Sequence, residues 1–126
     1  MRMITVKLQG KEIQADLLNP EVVKRVEAGL NEVSKKFVAS STDKNLPGSE
    51  GIRQQCQAVI DYITDIFGAE AAKKVFGTET DLLTCLDVVE EMVDLYPTQV
   101  TPLIRKKREG LEGKLDKRRS SEAGEA

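Results

Sequence analysis

The apolar residues of this 126-residue chain change their spacing at Asn19-Pro20. Before that point they alternate with polar residues, which is typical of strands with one buried face. After it they recur every three or four residues, which is typical of amphipathic helices. Asn is a favoured N-cap and Pro a favoured first helical residue. The sequence therefore predicts an α+β protein that is mostly α, with an N-terminal two-stranded β-hairpin followed by a bundle of three to four helices.

The predicted hairpin covers residues 3–17 and turns at Gly10-Lys11. A two-residue loop with Gly at its first central position suits a type II′ turn. A lone hairpin is marginally stable in water. We expect this one to pack on its own helices, and the alternative is that it adds its edge to the sheet of another chain. The predicted register places the apolar residues on one face, pairing Leu8 with Ile13, Val6 with Ala15 and Ile4 with Leu17.

Helices are predicted at about 20–40, 50–67, 69–76, 80–96 and 101–109. We expect the apolar stripe of the first to lie on the protein's own core, and a coiled-coil seam between chains is the alternative. Gly29 is its weak point. Pro97 is expected to end or kink the fourth helix. The predicted buried faces are Val23, Val26, Leu30, Val33 and Phe37 in the first helix; Ile52, Cys56, Val59, Ile60, Ile63 and Phe67 in the second; and Leu82, Leu86, Val89, Val93 and Tyr96 in the fourth, flanked by Leu83, Cys85 and Met92.

Charge is distributed unevenly along the chain. Residues 1–104 contain 11 Lys or Arg and 16 Asp or Glu, whereas residues 105–119 contain 8 Lys or Arg and 3 Asp or Glu. We predict one domain over residues 1–109 and a flexible, disordered basic tail over 110–126. We do not expect nucleic-acid binding, because the body is acidic and no aromatic residues flank the basic run.

The composition argues against catalysis. The chain has no His, which is the commonest general acid or base and the commonest metal ligand, and its two Cys cannot form a zinc site alone. The carboxylate pairs Asp61/Asp65, Asp87/Glu91 and Glu90/Asp94 are expected to lie on solvated helix faces. We therefore predict a protein that is not an enzyme and has no metal, cofactor, membrane span or secretory signal.

An interaction surface remains as the predicted working part of the molecule. The segment that follows Pro97 carries apolar residues beside four consecutive cations, an arrangement that can dock in the groove of a partner while the cations guide its approach. The alternative is that this segment folds back on the same bundle. The predicted surface consists of Leu95, Tyr96, Val100, Leu103, Ile104, Arg105, Lys106, Lys107 and Arg108.

The layout of the chain resembles a family of small phage and prophage proteins that is similar to the tail assembly chaperones of long-tailed phages. The resemblance covers residues 3–104 and is carried by the hairpin that ends in Leu17-Leu18-Asn19-Pro20-Glu21, then by Gly51-Ile52-Arg53-Gln54-Gln55-Cys56, Ile66-Phe67-Gly68, Val75-Phe76-Gly77 and Leu82-Leu83-Thr84-Cys85-Leu86. It implies no catalytic or metal-binding residues. It implies a protein of the bacterial host cytoplasm, absent from the mature virion, that keeps the tape-measure protein soluble and assists assembly of the tail-tube protein.

Two other functions stay open at this point. One is a structural connector or tail completion protein that remains in the virion. The other is a small nucleic-acid-associated regulatory protein that uses the basic C-terminal segment. Self-association is compatible with each of these functions.

Overall fold

The computed structural model describes residues 2–124 and confirms the α+β class, with one N-terminal antiparallel hairpin and five helices in this range. The chain forms two compact units, residues 1–94 and residues 95–126. The first unit contains β1 (Ile4–Leu8), β2 (Lys11–Ala15), α1 (Pro20–Thr42), α2 (Gly48–Phe67), α3 (Ala69–Phe76) and α4 (Leu82–Val93). The second contains a π-helical turn (Tyr96–Val100) and α5 (Thr101–Gly124).

The hairpin turns one residue earlier than the sequence predicts. The register pairs Leu8 with Lys11, Val6 with Ile13 and Ile4 with Ala15. Gln9 and Gly10 are the two turn residues, and both have positive φ, which is the geometry of a type I′ turn rather than type II′. The predicted pairing is therefore wrong by two residues. Because a strand repeats every two residues, the same apolar side chains still share one buried face.

Helices α1 and α2 form the most extensive helix pair of the first unit. Val26 and Val33 of α1 are buried, which confirms that this stripe lies on the protein's own core. The Tyr62 hydroxyl donates to the Val26 carbonyl at 2.9 Å. A Cβ on Gly29 would overlap the Tyr62 ring, so this glycine admits a buried aromatic side chain. Strand β2 packs on α2 and α3, which confirms that the hairpin is covered by its own helices.

The buried face of α2 differs in part from the predicted one. Val59 and Ile63 are buried as expected, but Ile52 is largely exposed, near the start of the helix. Tyr62 and Ile66 contribute instead. The helix begins at Gly48, two residues before the predicted start at residue 50, with Pro47 as N-cap.

Helix α4 begins at Leu82, two residues after the predicted start at residue 80, and the side chain of its N-cap, Asp81, accepts from the Thr84 N–H. It ends at Val93, three residues before the predicted end. The Thr101 N–H then bonds to the Tyr96 carbonyl, five residues back, closing a wide turn that contains Pro97. Proline has no N–H to donate and its ring crowds the preceding turn, which accounts for the break predicted there.

The structure does not show the disordered tail predicted from residue 110. Helix α5 runs to Gly124, and residues 125–126 lie outside the described range. Residues 105–121 are all exposed, including two glycines inside the helix. The sequence predicts disorder here because apolar residues are sparse, and the helix that forms has correspondingly little buried area.

Candidate protein-interaction surface

The structure divides the predicted surface segment into buried and accessible residues. Leu95 and Val100 are fully buried, so they contribute to packing and are inaccessible to a partner in this conformation. Tyr96 and Ile104 are partly buried. Leu103 is 46% exposed. The accessible cations are Arg105, Lys106, Lys107 and Arg108.

A larger apolar surface lies on α4, on the side that the sequence predicts to be core. Leu83 is 75% exposed, Val93 is 60% exposed and Leu86 is 37% exposed. Leu82 and Val89 are partly buried beside them. The predicted burial of Leu86 and Val93 is therefore wrong. These five residues, Leu82, Leu83, Leu86, Val89 and Val93, are called the α4 face below.

The opposite side of α4 supplies the core. Cys85, Val88 and Met92 are buried there. Because both sides of α4 are apolar at helical spacing, the sequence predicts Cys85 and Met92 only as residues that flank the buried stripe. The carboxylates indicate the buried side of α4 more clearly than the apolar residues do. At 100° per residue around the helix, Asp87, Glu90 and Asp94 cluster opposite Cys85 and Met92. A solvated acidic sector indicates the buried side more reliably than apolar spacing does in a helix this hydrophobic.

Two of these carboxylates border the α4 face directly. Asp87 and Glu90 are exposed, and Asp94 follows at the C-terminal end of the helix. No Lys or Arg occurs between Leu82 and Val93. The α4 face is thus an apolar stripe with an acidic border, and this border favours a partner that brings positive charge.

Glu91 joins α4 to the hairpin. Its two carboxylate oxygens accept from the Gln9 backbone N–H at 3.1 and 3.2 Å, and the Gln9 side-chain amide also donates to it. Gln9 is the residue with positive φ in the turn. Glu91 is therefore partly buried and structurally engaged, which corrects the expectation that it lies on a solvated face. This contact anchors the helix that carries the α4 face.

The third predicted carboxylate pair, Asp61 and Asp65 on α2, is bound by neighbouring side chains. The Arg25 guanidinium contacts Asp65 at 2.7 Å, linking α1 to α2. The Gln57 amide donates to Asp61 at 2.8 Å. Across residues 2–124, no group of three or more Cys, Asp and Glu side chains is arranged to hold a metal ion.

The two cysteines lie together inside the first unit. Burial, and to a smaller extent a hydrogen bond with Cys56, raises the pKa of the Cys85 thiol from its ordinary value of 9.0 to about 12. The Thr80 hydroxyl lies 3.9 Å from Cys85 Sγ. A thiol with so high a pKa is protonated at neutral pH and is a poor nucleophile. Cys85 is therefore a core residue, although the sequence places it only beside the predicted apolar stripe of its helix.

None of the helices within the described part of the chain is long and apolar enough to cross a membrane. Comparison with curated proteins and with solved structures finds no match. A family model does match, described as a family of unknown function, DUF6673, over residues 9–121. That range includes both turn residues of the hairpin, all of α4 and most of α5, so the chain belongs to the DUF6673 family.

Proposed function

We propose that this protein is a non-enzymatic tail assembly chaperone that binds a phage tape-measure protein through the α4 face. The observation that carries the proposal is the exposure of Leu83, Leu86 and Val93 on a unit with an excess of acidic residues. The resemblance in layout to tail assembly chaperones supplies the identity of the partner. The family match is silent on function and is compatible with the proposal.

The physical task of such a chaperone suits this surface. A tape-measure protein is long and helical, and its apolar stripes need cover until tail-tube subunits enclose it. A helix face with apolar residues spaced by three and four can receive such a stripe side by side. Three exposed side chains give a modest contact. A modest contact suits a chaperone, because it has to leave as the tube closes.

The acidic character of the first unit supports the same role. Residues 1–94 carry 11 Lys or Arg and 16 Asp or Glu. The excess of negative charge on this unit opposes contact between the first units of neighbouring chaperone–client complexes. Leu103 and Ile104, with the cations that follow them, provide a second accessible contact for the client or for the tail-tube protein. The proposed location is the bacterial host cytoplasm, with the protein absent from the finished virion.

Co-expression with the neighbouring tape-measure protein tests this proposal. The triple variant Leu83→Ser, Leu86→Ser and Val93→Ser removes the apolar side chains while leaving the core side of α4 intact. We expect it to lose most of the co-purifying tape-measure protein and to leave that protein insoluble. The matched control is Val38→Ser with Ile52→Ser, which removes exposed apolar residues from α1 and α2 and should retain the client.

Circular dichroism establishes that both variants are folded before the comparison is made. Equal co-purification by the triple variant and the wild type would remove the α4 face from the proposal. Failure of the wild type itself to bind or solubilise the tape-measure protein would remove the chaperone function. Detection of the protein in purified virions by mass spectrometry would favour the connector function instead.

A further inference from the structure

Helix α5 carries an apolar stripe that is partly buried at Ile104 and exposed beyond it. Ile104, Leu111 and Leu115 recur at spacings of seven and four, and Leu111 and Leu115 are 54% and 41% exposed. Gly110 and Gly113 each cost about 1 kcal/mol relative to Ala in an exposed helix interior. A polar, solvent-surrounded helix of this kind gains most of its stability from packing against another element.

The charge on α5 identifies what kind of surface would cover it. Residues 105–119 carry 8 Lys or Arg against 3 Asp or Glu. Lys107 and Lys114 lie beside the stripe of Leu111 and Leu115 at the spacing of flanking coiled-coil positions. A complementary surface is an apolar helix face bordered by carboxylates, and α4 has that description: Leu86 and Val93 beside Asp87 and Glu90.

We propose that α5 of one copy packs along the α4 face of a second copy, and that the reciprocal contact makes a two-fold dimer. Each contact joins an apolar stripe with basic flanks to an apolar stripe with acidic flanks. A two-fold arrangement uses the same two surfaces on both copies, so both faces are covered at once. The inference rests on the two helix surfaces and does not depend on the identity of the client.

The small area of one α4–α5 contact explains why the proposed dimer needs two such contacts. Helix α4 has 12 residues and is about 18 Å long at 1.5 Å per residue. One helix pair of that length is small against the roughly 1,000 Å² that a specific interface needs, whereas two symmetric pairs double the buried area. The exposed flanking charges make the association weaken as salt rises. A dimer of this kind would shield the α4 face, and a client helix would displace α5.

A charge-swap experiment tests the pairing. Variant A carries Lys107→Glu and Lys114→Glu, so its α5 and its α4 both have acidic flanks. Variant B carries Asp87→Lys and Glu90→Lys, so both of its helices have basic flanks. Each variant alone should be monomeric by sedimentation velocity at a concentration where the wild type is dimeric, with its dissociation constant raised about tenfold or more. An equimolar mixture of A and B should be dimeric, because both contacts in the heterodimer pair opposite charges.

A matched control separates local pairing from overall charge. The control variant Lys24→Glu with Lys36→Glu changes the net charge by the same amount as variant A, at exposed positions of α1. It should leave the dimer intact. A wild-type protein that sediments as a monomer at every concentration overturns the proposal. So does a dimer that both variants preserve, or a mixture of A and B that stays monomeric. Sedimentation of the purified protein measures dimer formation alone, whereas co-purification measures binding of the client. The dimer proposal and the chaperone proposal can therefore fail independently.

Discussion

Gly29 lies in the middle of α1, where glycine is about 1 kcal/mol less favourable than Ala. The structure gives the reason for it at the level of atoms. A Cβ at this position would overlap two ring carbons of Tyr62, whose hydroxyl is held by the Val26 carbonyl. The ring is therefore fixed at one end and cannot retreat without breaking a buried hydrogen bond. Packing between α1 and α2 outweighs helix propensity at this residue.

Gly29→Ala is expected to lower the free energy of unfolding by about 1–3 kcal/mol, since overpacking a fixed ring costs more than the helix propensity gained. Urea unfolding followed by circular dichroism measures the effect. Gly110→Ala is the control, because nothing lies within 4 Å of the Cβ it would add. That change should preserve stability or increase helix content. Equal stabilisation by both changes would contradict the account of Gly29.

Cys85 is expected to make the free energy of unfolding fall as the pH becomes alkaline. Its thiol has a pKa of about 12 in the folded protein against an ordinary value of 9.0. The unfolded thiol ionises first as pH rises, so the unfolded state loses a proton that the folded state keeps. The contribution of Cys85 is complete below about pH 9 and is lost progressively up to about pH 12. Between about pH 8 and pH 10, the wild type should lose more stability than Cys85→Ala, as measured by urea midpoints. Equal losses would show that the thiol does not contribute.

At the scale of elements, the hairpin and α4 are held together by one carboxylate. Glu91 accepts from the backbone N–H of Gln9 with both oxygens, at a turn whose positive φ at Gln9 is unusual for a residue with a side chain. Their spacing of four residues predicts that Glu91 and Asp87 form an exposed pair. No local pattern could distinguish the two, because the acceptor and its donor are 82 residues apart.

Glu91→Ala should destabilise the protein by about 1–3 kcal/mol, because it leaves a partly buried N–H without its acceptor. Thermal unfolding at low protein concentration measures the loss. Asp87→Ala is the matched control on the same helix, since Asp87 is exposed, and we expect a change within about 0.5 kcal/mol. A Glu91 variant no less stable than the Asp87 variant would mean that the turn is held by its backbone geometry alone.

The sequence predicted element types well and element faces less well, for a physical reason. Asn19-Pro20 marked the start of α1 correctly, and the predicted range 69–76 matches α3, because the signals for these helix ends are local. The apolar spacing within α4 does not distinguish its two apolar sides, because the choice depends on where α2 and the hairpin lie. Only the positions of Asp87, Glu90 and Asp94 indicate which side is solvated. The hairpin register failed similarly: Gly10 was located in the turn, but the contribution of Gln9 to a type I′ turn was not visible from propensity.

At the scale of the whole molecule, the two units differ in the sign of their charge and in how much of their apolar surface is buried. Residues 1–94 have an excess of five acidic charges and carry the buried core, whereas residues 105–119 have an excess of five basic charges on a stretch of α5 in which every residue is exposed. The candidate surface was predicted at residues 95–108 because apolar and basic residues meet there. The structure buries Leu95 and Val100 and leaves the larger apolar exposure on α4.

Amide hydrogen exchange should separate the two units by protection. Amides of α2 near Ile63 are covered by buried side chains and are expected to exchange only through large-scale opening, whereas those of α5 near Gly110 are exposed and should exchange much faster in dilute protein. If a second copy covers α5, its protection must rise with protein concentration while that of α2 stays constant. Mass spectrometry of peptic fragments across a dilution series measures both at once. Fast exchange in α5 at every protein concentration would contradict its coverage by a second copy. Protection of α5 equal to that of α2 in dilute protein would show instead that α5 is stabilised within a single chain.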